Sequence, residues 1–496
     1  MKRRDFMRNT VAITAATSMP YSNFVKASIP DTSAISLNGN EITLSSSDIH
    51  DFMKSFQGSV ISEEHYNYDA GRLVWNGVWD KRPALIAYCE SVQDVQGAIN
   101  FAREQNLLTA VRSGGHSISG KSTCDGGLII DLSQMRKTNL DLQRKIVEVQ
   151  AGCLLYDLDS KSLPHGYVVP AGVVSHTGVA GLTLGGGIGS FMRMGGLTID
   201  NLLSVDIITA DGVFRKASAD ENPDLFWGIR GGGGNFGVVT SFTYKLNPMP
   251  NPNGEIIVGT RLYEMKYAKE IWDFYYNYSE DMPNEIMLNA GMWNAGPDES
   301  LFFLGAMYMG DQSKADSALK TIRNFGKPIV DELGSKQFSE HQQIADKRNA
   351  HYRKYYIKGR QIDEYNPKMT EELMDRWGYE NERFDTMRVV RFGGKISEVA
   401  EGETAWSGRN AKWDIEVGGH WTNDDKTEEF TQWGRDYWKA LTPYTADRIY
   451  INELMDEEQE FVATSYGQNY GRLVELKNKY DPKNLFRLNG NIIPSV

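Results

Sequence analysis

Val111-Arg112-Ser113-Gly114-Gly115-His116-Ser117-Ile118-Ser119-Gly120 places a glycine-rich loop and one imidazole directly behind an apolar, strand-like run that begins at Thr109. Glycine at 114, 115 and 120 removes the Cβ atoms that would hold a ligand away from backbone N–H groups, as a loop cradling an anion requires. His116 then stands beside whatever carries that anion. Taken alone, the stretch also reads as a tight turn with a solvent-facing imidazole, and the rest of the chain decides between the two.

Upstream, residues 84–88 form a short apolar run, and residues 91–102 have helical apolar spacing with Ser91 as N-cap. Strand, helix, then strand and loop is the order of an α/β unit whose ligand loop sits at a strand's carboxyl end. Downstream, residues 127–132 and 146–152 read as further strands. A second glycine system follows: Thr177-Gly178-Val179-Ala180-Gly181-Leu182-Thr183-Leu184-Gly185-Gly186-Gly187-Ile188-Gly189. A flexible linker does not interleave Val, Leu and Ile so regularly, so this is a buried backbone wrapping a large flat or phosphorylated ligand. A third run, Arg230-Gly231-Gly232-Gly233-Gly234-Asn235-Phe236-Gly237-Val238-Val239-Thr240, leads into a strand at 238–244, and a strand at 205–209 lies between the two runs. Three separated glycine loops converging on one ligand imply a dinucleotide-sized one.

The 496 residues suffice for two or three domain-sized cores. With 41% hydrophobic and 24% charged residues the chain is neither disordered nor membrane-spanning in character. A net charge of −12 with no basic stripe argues against a nucleic-acid partner. Cys89, Cys124 and Cys153 lack metal-ligand spacing, and an odd count fits no disulfide framework. The amino terminus differs from the rest. Lys2-Arg3-Arg4-Asp5-Phe6-Met7-Arg8, a weakly hydrophobic run at 11–19 and Val25-Lys26-Ala27 read as a twin-arginine export signal over residues 1–27, and hence as a periplasmic or secreted protein. Residues 28–60, polar and Ser-rich, read as a leader or tether. Asn247-Pro248-Met249-Pro250-Asn251-Pro252 marks a boundary. Beyond it, strands such as 256–262 and 301–307 mix with helical stretches at 265–278, 313–325 and 428–441.

Residues 112–120, 178–189, Asp211-Gly212, Asn222-Pro223-Asp224-Leu225-Phe226-Trp227 and 230–239 together resemble the vanillyl-alcohol-oxidase (PCMH-type) flavoprotein superfamily, in its berberine-bridge-enzyme-like subgroup. Tyr466-Gly467-Gln468-Asn469-Tyr470-Gly471-Arg472-Leu473 and residues 477–487 resemble that subgroup's closing segment. The motifs occur in family order over roughly 68–248 and 447–496. The resemblance implies an α+β fold: an FAD-binding domain in two parts, 61–248 and 447–496, and a substrate domain, 249–446, with an antiparallel sheet covered by helices. It also implies FAD bonded through a ring nitrogen of His116 to the flavin 8α carbon. Members with two covalent links add a Cys at the position matching Val174, and valine forms no thioether, so attachment here is single. The cofactor contacts implied are Arg112, Ser113, Gly114, Gly115 and Ser117 in the first loop, Val174, Thr177, Gly178, Gly181, Gly185, Gly186 and Gly189 in the second, and Asn235, Gly237 and Val239 in the third. Thr177 falls where the family places a small β-branched residue that lets dioxygen approach the flavin.

Flavin oxidation of an alcohol or amine needs the C–H aimed at N5 while a base takes the O–H or N–H proton. In the family that base is often the last residue of Tyr-x-Asn-Tyr. Here the sequence is Tyr450-Ile451-Asn452-Glu453, so Glu453 occupies the base position. On a strand Tyr450 and Glu453 would face opposite sides, and only one would serve. A Glu base works best with its pKa raised by burial. Arg388, Val390 and Phe392 alternate ahead of Gly393-Gly394, while Asp414 and Glu416 share one face of 413–417. Arg388 with either carboxylate binds a hydroxylated or charged substrate, or forms a structural ion pair. His176 and His420 carry no metal pattern, and His165 reads as a surface turn. The sequence thus leads to a flavin oxidase that passes hydride from an alcohol or amine carbon of a small molecule (a sugar, phenolic, alkaloid-like amine or polyketide) to FAD, with O2 as acceptor and hydrogen peroxide as product. A dehydrogenase with another acceptor and a non-catalytic flavin-binding protein are the alternatives.

Overall fold

The computed structural model describes residues 29–294, 300–378 and 382–495, so the export-signal expectation at 1–27 lies outside the described residues. A four-stranded sheet runs in the order Ser59–Ile61, Leu85–Tyr88, Leu128–Asp131, Thr109–Arg112, and its last three strands are parallel. Strands covered on both faces need unbroken apolar runs. Leu85, Ile86, Ala87, Leu128, Ile129 and Ile130 supply them, all fully buried. Helix Val92–Glu104 connects two of these strands. The Ser91 hydroxyl caps it by accepting from the Asp94 N–H, and Val95, Ala98, Ile99 and Ala102 face inward.

A second sheet of five antiparallel strands follows the order Phe214–Ser218, Leu202–Thr209, Gly237–Lys245, Ile146–Gln150, Thr138–Asp141. One hydrophobic core joins it to the first sheet. The chain then crosses into an antiparallel sheet whose main path is Val330–Asp331, Glu255–Glu264, Ser300–Tyr308, Ile286–Asn294, Phe384–Arg391, Trp413–Trp421, Lys354–Ile362. Successive strand side chains point to opposite faces. Leu288, Ala290, Met292, Met387, Val389, Ile415 and Val417 accordingly pack beneath helices Ala268–Glu280, Pro367–Asp375 and Thr427–Leu441. Their neighbours along each strand face the other way, toward the glycine loops. The helical stretch read at 313–325 is broken into Ala315–Ala318 and Lys320–Asn324.

The C-terminal helix Tyr470–Tyr480 returns to the first part of the molecule. Lys477, fully buried, donates to the Asp481 carboxylate (2.7 Å), the Asn235 carbonyl (2.9 Å) and the Phe486 carbonyl (3.1 Å). Among the described residues no helix is long and apolar enough to cross a membrane.

One expectation is corrected. Residues 29–60 are no tether: strands Thr32–Ile35 and Glu41–Leu44 and helix Ser46–Lys54 fold onto the main core. Ile49, Phe52, Met53 and Phe56 recur at i, i+3, i+4 and i+7, and all four are buried. Ile49→Ala should therefore lower the unfolding free energy by about 2–5 kcal/mol in denaturant titration. A tether would show no change.

Candidate active site

The three glycine loops and the free face of the large sheet enclose a cavity of about 680 Å3. On the loop side, Gly114 and Gly178 meet backbone to backbone, and a Cβ on either would overlap the other's main chain. Two loops far apart in sequence thus form one surface of exposed main chain. The Ser113 hydroxyl ties the first loop down by donating to the Ala151 carbonyl (2.6 Å). His116 lines the cavity with its ring stacked on Trp75 (centroids 4.2 Å, 17°), and Trp75 also stacks on Tyr355 (3.9 Å, 17°). Trp75 is itself anchored, its amide donating to the Gly115 carbonyl (3.0 Å) and its indole N–H to the Asn349 carbonyl (2.7 Å). Burial, reinforced by His176 and His351 nearby, pushes the His116 pKa well below the usual imidazole value. The ring is therefore neutral, with a lone pair available, and its Nε2 is buried without a hydrogen-bond partner.

Across the cavity, pairing register places Gly359, Glu416, Arg388 and Gly291 in one row over four strands. Arg388 donates to Glu416 Oε2 at 3.1 Å. Glu453 enters this row from the short turn Ile451–Glu453, with its Oε2 against Gly359, where any side chain would collide with it. That oxygen is buried with no hydrogen-bond partner. Burial and then repulsion by Asp414 and Glu416 push the Glu453 carboxyl well above the usual range, with Arg388 opposing. Asp414 is raised in the same way, by burial and then by Glu416. Burial works against the charge on Arg388, but Glu416, Glu453 and Asp414 outweigh it and keep the guanidinium firmly charged. Met287, Asn289, Trp293, Phe303, Phe384 and His420 wall the rest of this side.

Of the residues singled out in the sequence, Ser113, Gly114, Gly115, His116, Ser117, Val174, Thr177, Gly178, Gly181, Gly189, Gly237, Val239, Arg388, Tyr450 and Glu453 line the cavity. Five residues have other places. Arg112 points away into a buried ion pair with Asp131 and donates to the Gly71 carbonyl (2.6 Å). Gly185 lies against Asn452, and Gly186 against Trp406. The Asn235 amide donates to the Gly232 (2.9 Å) and Gly490 (3.0 Å) carbonyls, tying the third loop to the C-terminus. Asp414 shares the face of its strand with Glu416 but does not line the cavity, and Arg388 pairs with Glu416 instead. The strand expected at 450–453 is a turn, so Tyr450 and Glu453 both reach the cavity. The Tyr450 hydroxyl oxygen accepts from the Gly187 N–H (3.0 Å) and the Asn452 amide (2.9 Å). Burial nonetheless pushes its pKa up to about 12. Trp75, Tyr355 and Gly359 escaped the sequence reading because none belongs to a glycine motif and their partners are remote in the chain.

A long cavity, a backbone-rich cradle too tight for side chains and an unpartnered neutral imidazole fit a dinucleotide carrying a flat ring system. Comparison with known proteins gives that ligand its identity. Residues 83–218 match the FAD binding domain model, and residues 449–493 match the model described as berberine and berberine like. An FAD-linked oxidoreductase of Dictyostelium discoideum is 33% identical over 452 residues, covering 90% of this chain and 97% of that one. The (R)-6-hydroxynicotine oxidase of Paenarthrobacter nicotinovorans is 27% identical over 483 residues, covering 89% and 97%. The solved structure of 6-hydroxy-D-nicotine oxidase from Arthrobacter nicotinovorans superposes with a TM-score of 0.81 at 26% identity, covering 88% and 98%. The fold and site are those of an FAD-dependent oxidoreductase. The chain belongs to the berberine-bridge-enzyme-like family of FAD-linked oxidoreductases.

The raised carboxyl pair makes stability depend on pH. In the unfolded chain such carboxyls ionise near pH 4, whereas in the folded protein Asp414 and Glu453 keep their protons to higher pH. Through that window the folded state binds more protons than the unfolded one, so stability falls as pH rises. Asp414→Asn should therefore raise Tm relative to the parent at pH 8 and leave it nearly unchanged at pH 4. An equal difference at both pH values would contradict the assignment.

Proposed function

We propose that the protein is an FAD oxidase, singly attached to its cofactor through His116, that oxidises an alcohol or amine carbon of a small organic substrate and returns the electrons to dioxygen as hydrogen peroxide. The observation that carries this reading is the buried, unpartnered and basic Glu453 carboxyl, facing the cavity that His116 and the glycine loops line. Bound FAD supplies the two-electron acceptor, and the chain supplies the proton chemistry. Burial and mutual repulsion raise the Asp414 and Glu453 carboxyls together, and once the pair has ionised Glu453, the member that lines the cavity, takes a proton from the substrate O–H or N–H. A base with a raised pKa does this with greater driving force. Tyr450 is a weaker candidate, because two N–H donors already occupy its oxygen. Arg388, held by Glu416, stabilises negative charge on the substrate heteroatom as its proton leaves. Aromatic walls from Trp293, Phe303 and Phe384 take the apolar body of the substrate. Thr177, small and lining the cavity, supports access by dioxygen, and Val174 supports a single covalent link. The twin-arginine pattern at 2–8 supports export of the folded, loaded protein.

Glu453→Gln keeps the shape and removes the base. With a substrate that bleaches the wild-type flavin under anaerobic conditions, the variant should retain its flavin and be reduced about 10²- to 10⁴-fold more slowly in stopped flow. Reduction at the wild-type rate would exclude Glu453. Oxygen electrode measurements on the wild type should show one hydrogen peroxide per oxygen consumed; a reduced enzyme indifferent to oxygen would instead be a dehydrogenase.

A further inference from the structure

One side of the cavity carries a cation that the proposed reaction does not use. The short helix Phe338–His341 continues in further turns, the Ile344 N–H donating to the His341 carbonyl (3.1 Å) and the Arg348 N–H to the Ala345 carbonyl (3.1 Å). His341, Ile344, Ala345 and Arg348 thus stand at i, i+3, i+4 and i+7, and all four line the cavity. Ile344 is 58% exposed, so the chain itself leaves an apolar surface uncovered there.

The Arg348 guanidinium lies over the Trp293 ring, 4.3 Å from its centroid, and Trp293 stacks on Phe303 (5.1 Å, 27°). Stacking fixes the plane of the guanidinium and leaves its N–H edge free to meet a planar anion. Among the described residues no carboxylate lies within ion-pair distance of it, and Glu332, exposed and also lining the cavity, favours its charge from farther away. Arg388, by contrast, is already engaged by Glu416. The backbone that carries Arg348 is pinned on both sides. Ser175 donates its N–H to the Asp346 carboxylate (2.8 Å), the Trp75 indole N–H donates to the Asn349 carbonyl (2.7 Å), and the Tyr355 hydroxyl donates to the Ala350 carbonyl (2.6 Å). A cation held in place gives up less freedom on meeting a ligand.

We propose that Arg348 is a specificity-determining residue that binds a carboxylate on the substrate, so that the substrates are elongated organic acids with an apolar or aromatic body. This rests on the reading of the cavity as the site of oxidation. Gly291 shares a row with Arg388, Glu416 and Gly359, and Trp293 lies two residues along the strand of Gly291. Three strand spacings of about 4.8 Å and two residues of about 3.4 Å each put the Trp293 backbone about 16 Å from that of Gly359, against which Glu453 lies. One benzene ring is too short to bridge Glu453 and Arg348. Two rings in line reach, with Trp293, Phe303 and Ile344 against the far one. In a chain of net charge −12 an organic acid is repelled at long range, and a free cation at the cavity supplies the local attraction.

The test compares two ligands of one shape that carry no oxidisable carbon. Flavin-loaded protein is titrated by calorimetry with 4′-hydroxybiphenyl-4-carboxylate and with the matching uncharged carboxamide. The wild type should bind the carboxylate about tenfold to a hundredfold more tightly, with the margin narrowing as salt is raised. Arg348→Met, an exposed change that keeps an apolar stem over Trp293, should remove the margin by weakening the carboxylate alone. Arg348→Lys should keep part of it. Equal affinities in the wild type, or no binding of the carboxylate, overturn the proposal. So does an Arg348→Met variant that keeps the margin or weakens both ligands alike. Because no turnover is involved, a protein that shows the margin but whose flavin no substrate reduces loses the oxidase reading and keeps Arg348 as an anion site.

Discussion

The backbone contact between Gly114 and Gly178 is the constraint on which the site depends. It brings the loop after a parallel strand against the loop that opens the second glycine system, so main chain lines the cavity where side chains would otherwise fill it. Everything beyond serves to hold this surface. The buried Arg112–Asp131 ion pair fixes the first loop from below. Tyr450 receives the Gly187 N–H of the second, and Asn235 with Lys477 ties the third to the C-terminus. Each of these supports is a charged or polar group buried against a hydrogen-bonded or oppositely charged partner, which offsets the cost of burying it.

The opposite wall is built on a different principle. Strand alternation sends one set of residues under the helices and delivers the other set to the cavity, and register alone aligns Gly359, Glu416 and Arg388. Gly359 has no side chain because Glu453 occupies that space. Three acidic groups, Asp414, Glu416 and Glu453, around one guanidinium form a costly arrangement, and the cost appears as the raised Asp414 and Glu453 carboxyls. Raised carboxyls beside a charged partner at a cavity wall are the arrangement in which functional sites concentrate.

The glycine loops were legible in the sequence because their function lies in consecutive backbone. Each was located with its main cavity residues, and the α+β architecture followed from their order and from the family resemblance. Roles that depend on remote partners were not legible. Arg112, Gly185, Gly186 and Asn235 belong to the right motifs, but Asp131, Asn452, Trp406 and Gly490 set their orientation. The segment 29–60 misleads by composition, since its serines obscure the four apolar residues that helix Ser46–Lys54 and its end bury. Tyr450 and Glu453 read as opposed because strand periodicity was assumed where a 3-10 turn brings both to the cavity.

The central claim is that the opening loop holds FAD through His116 beneath a proton-accepting wall. Its most direct test is mass spectrometry of the tryptic peptide containing His116 from acid-denatured protein. The account predicts that this peptide carries the mass of FAD and that no other peptide does. Flavin released entirely free, or found on another residue, would contradict it.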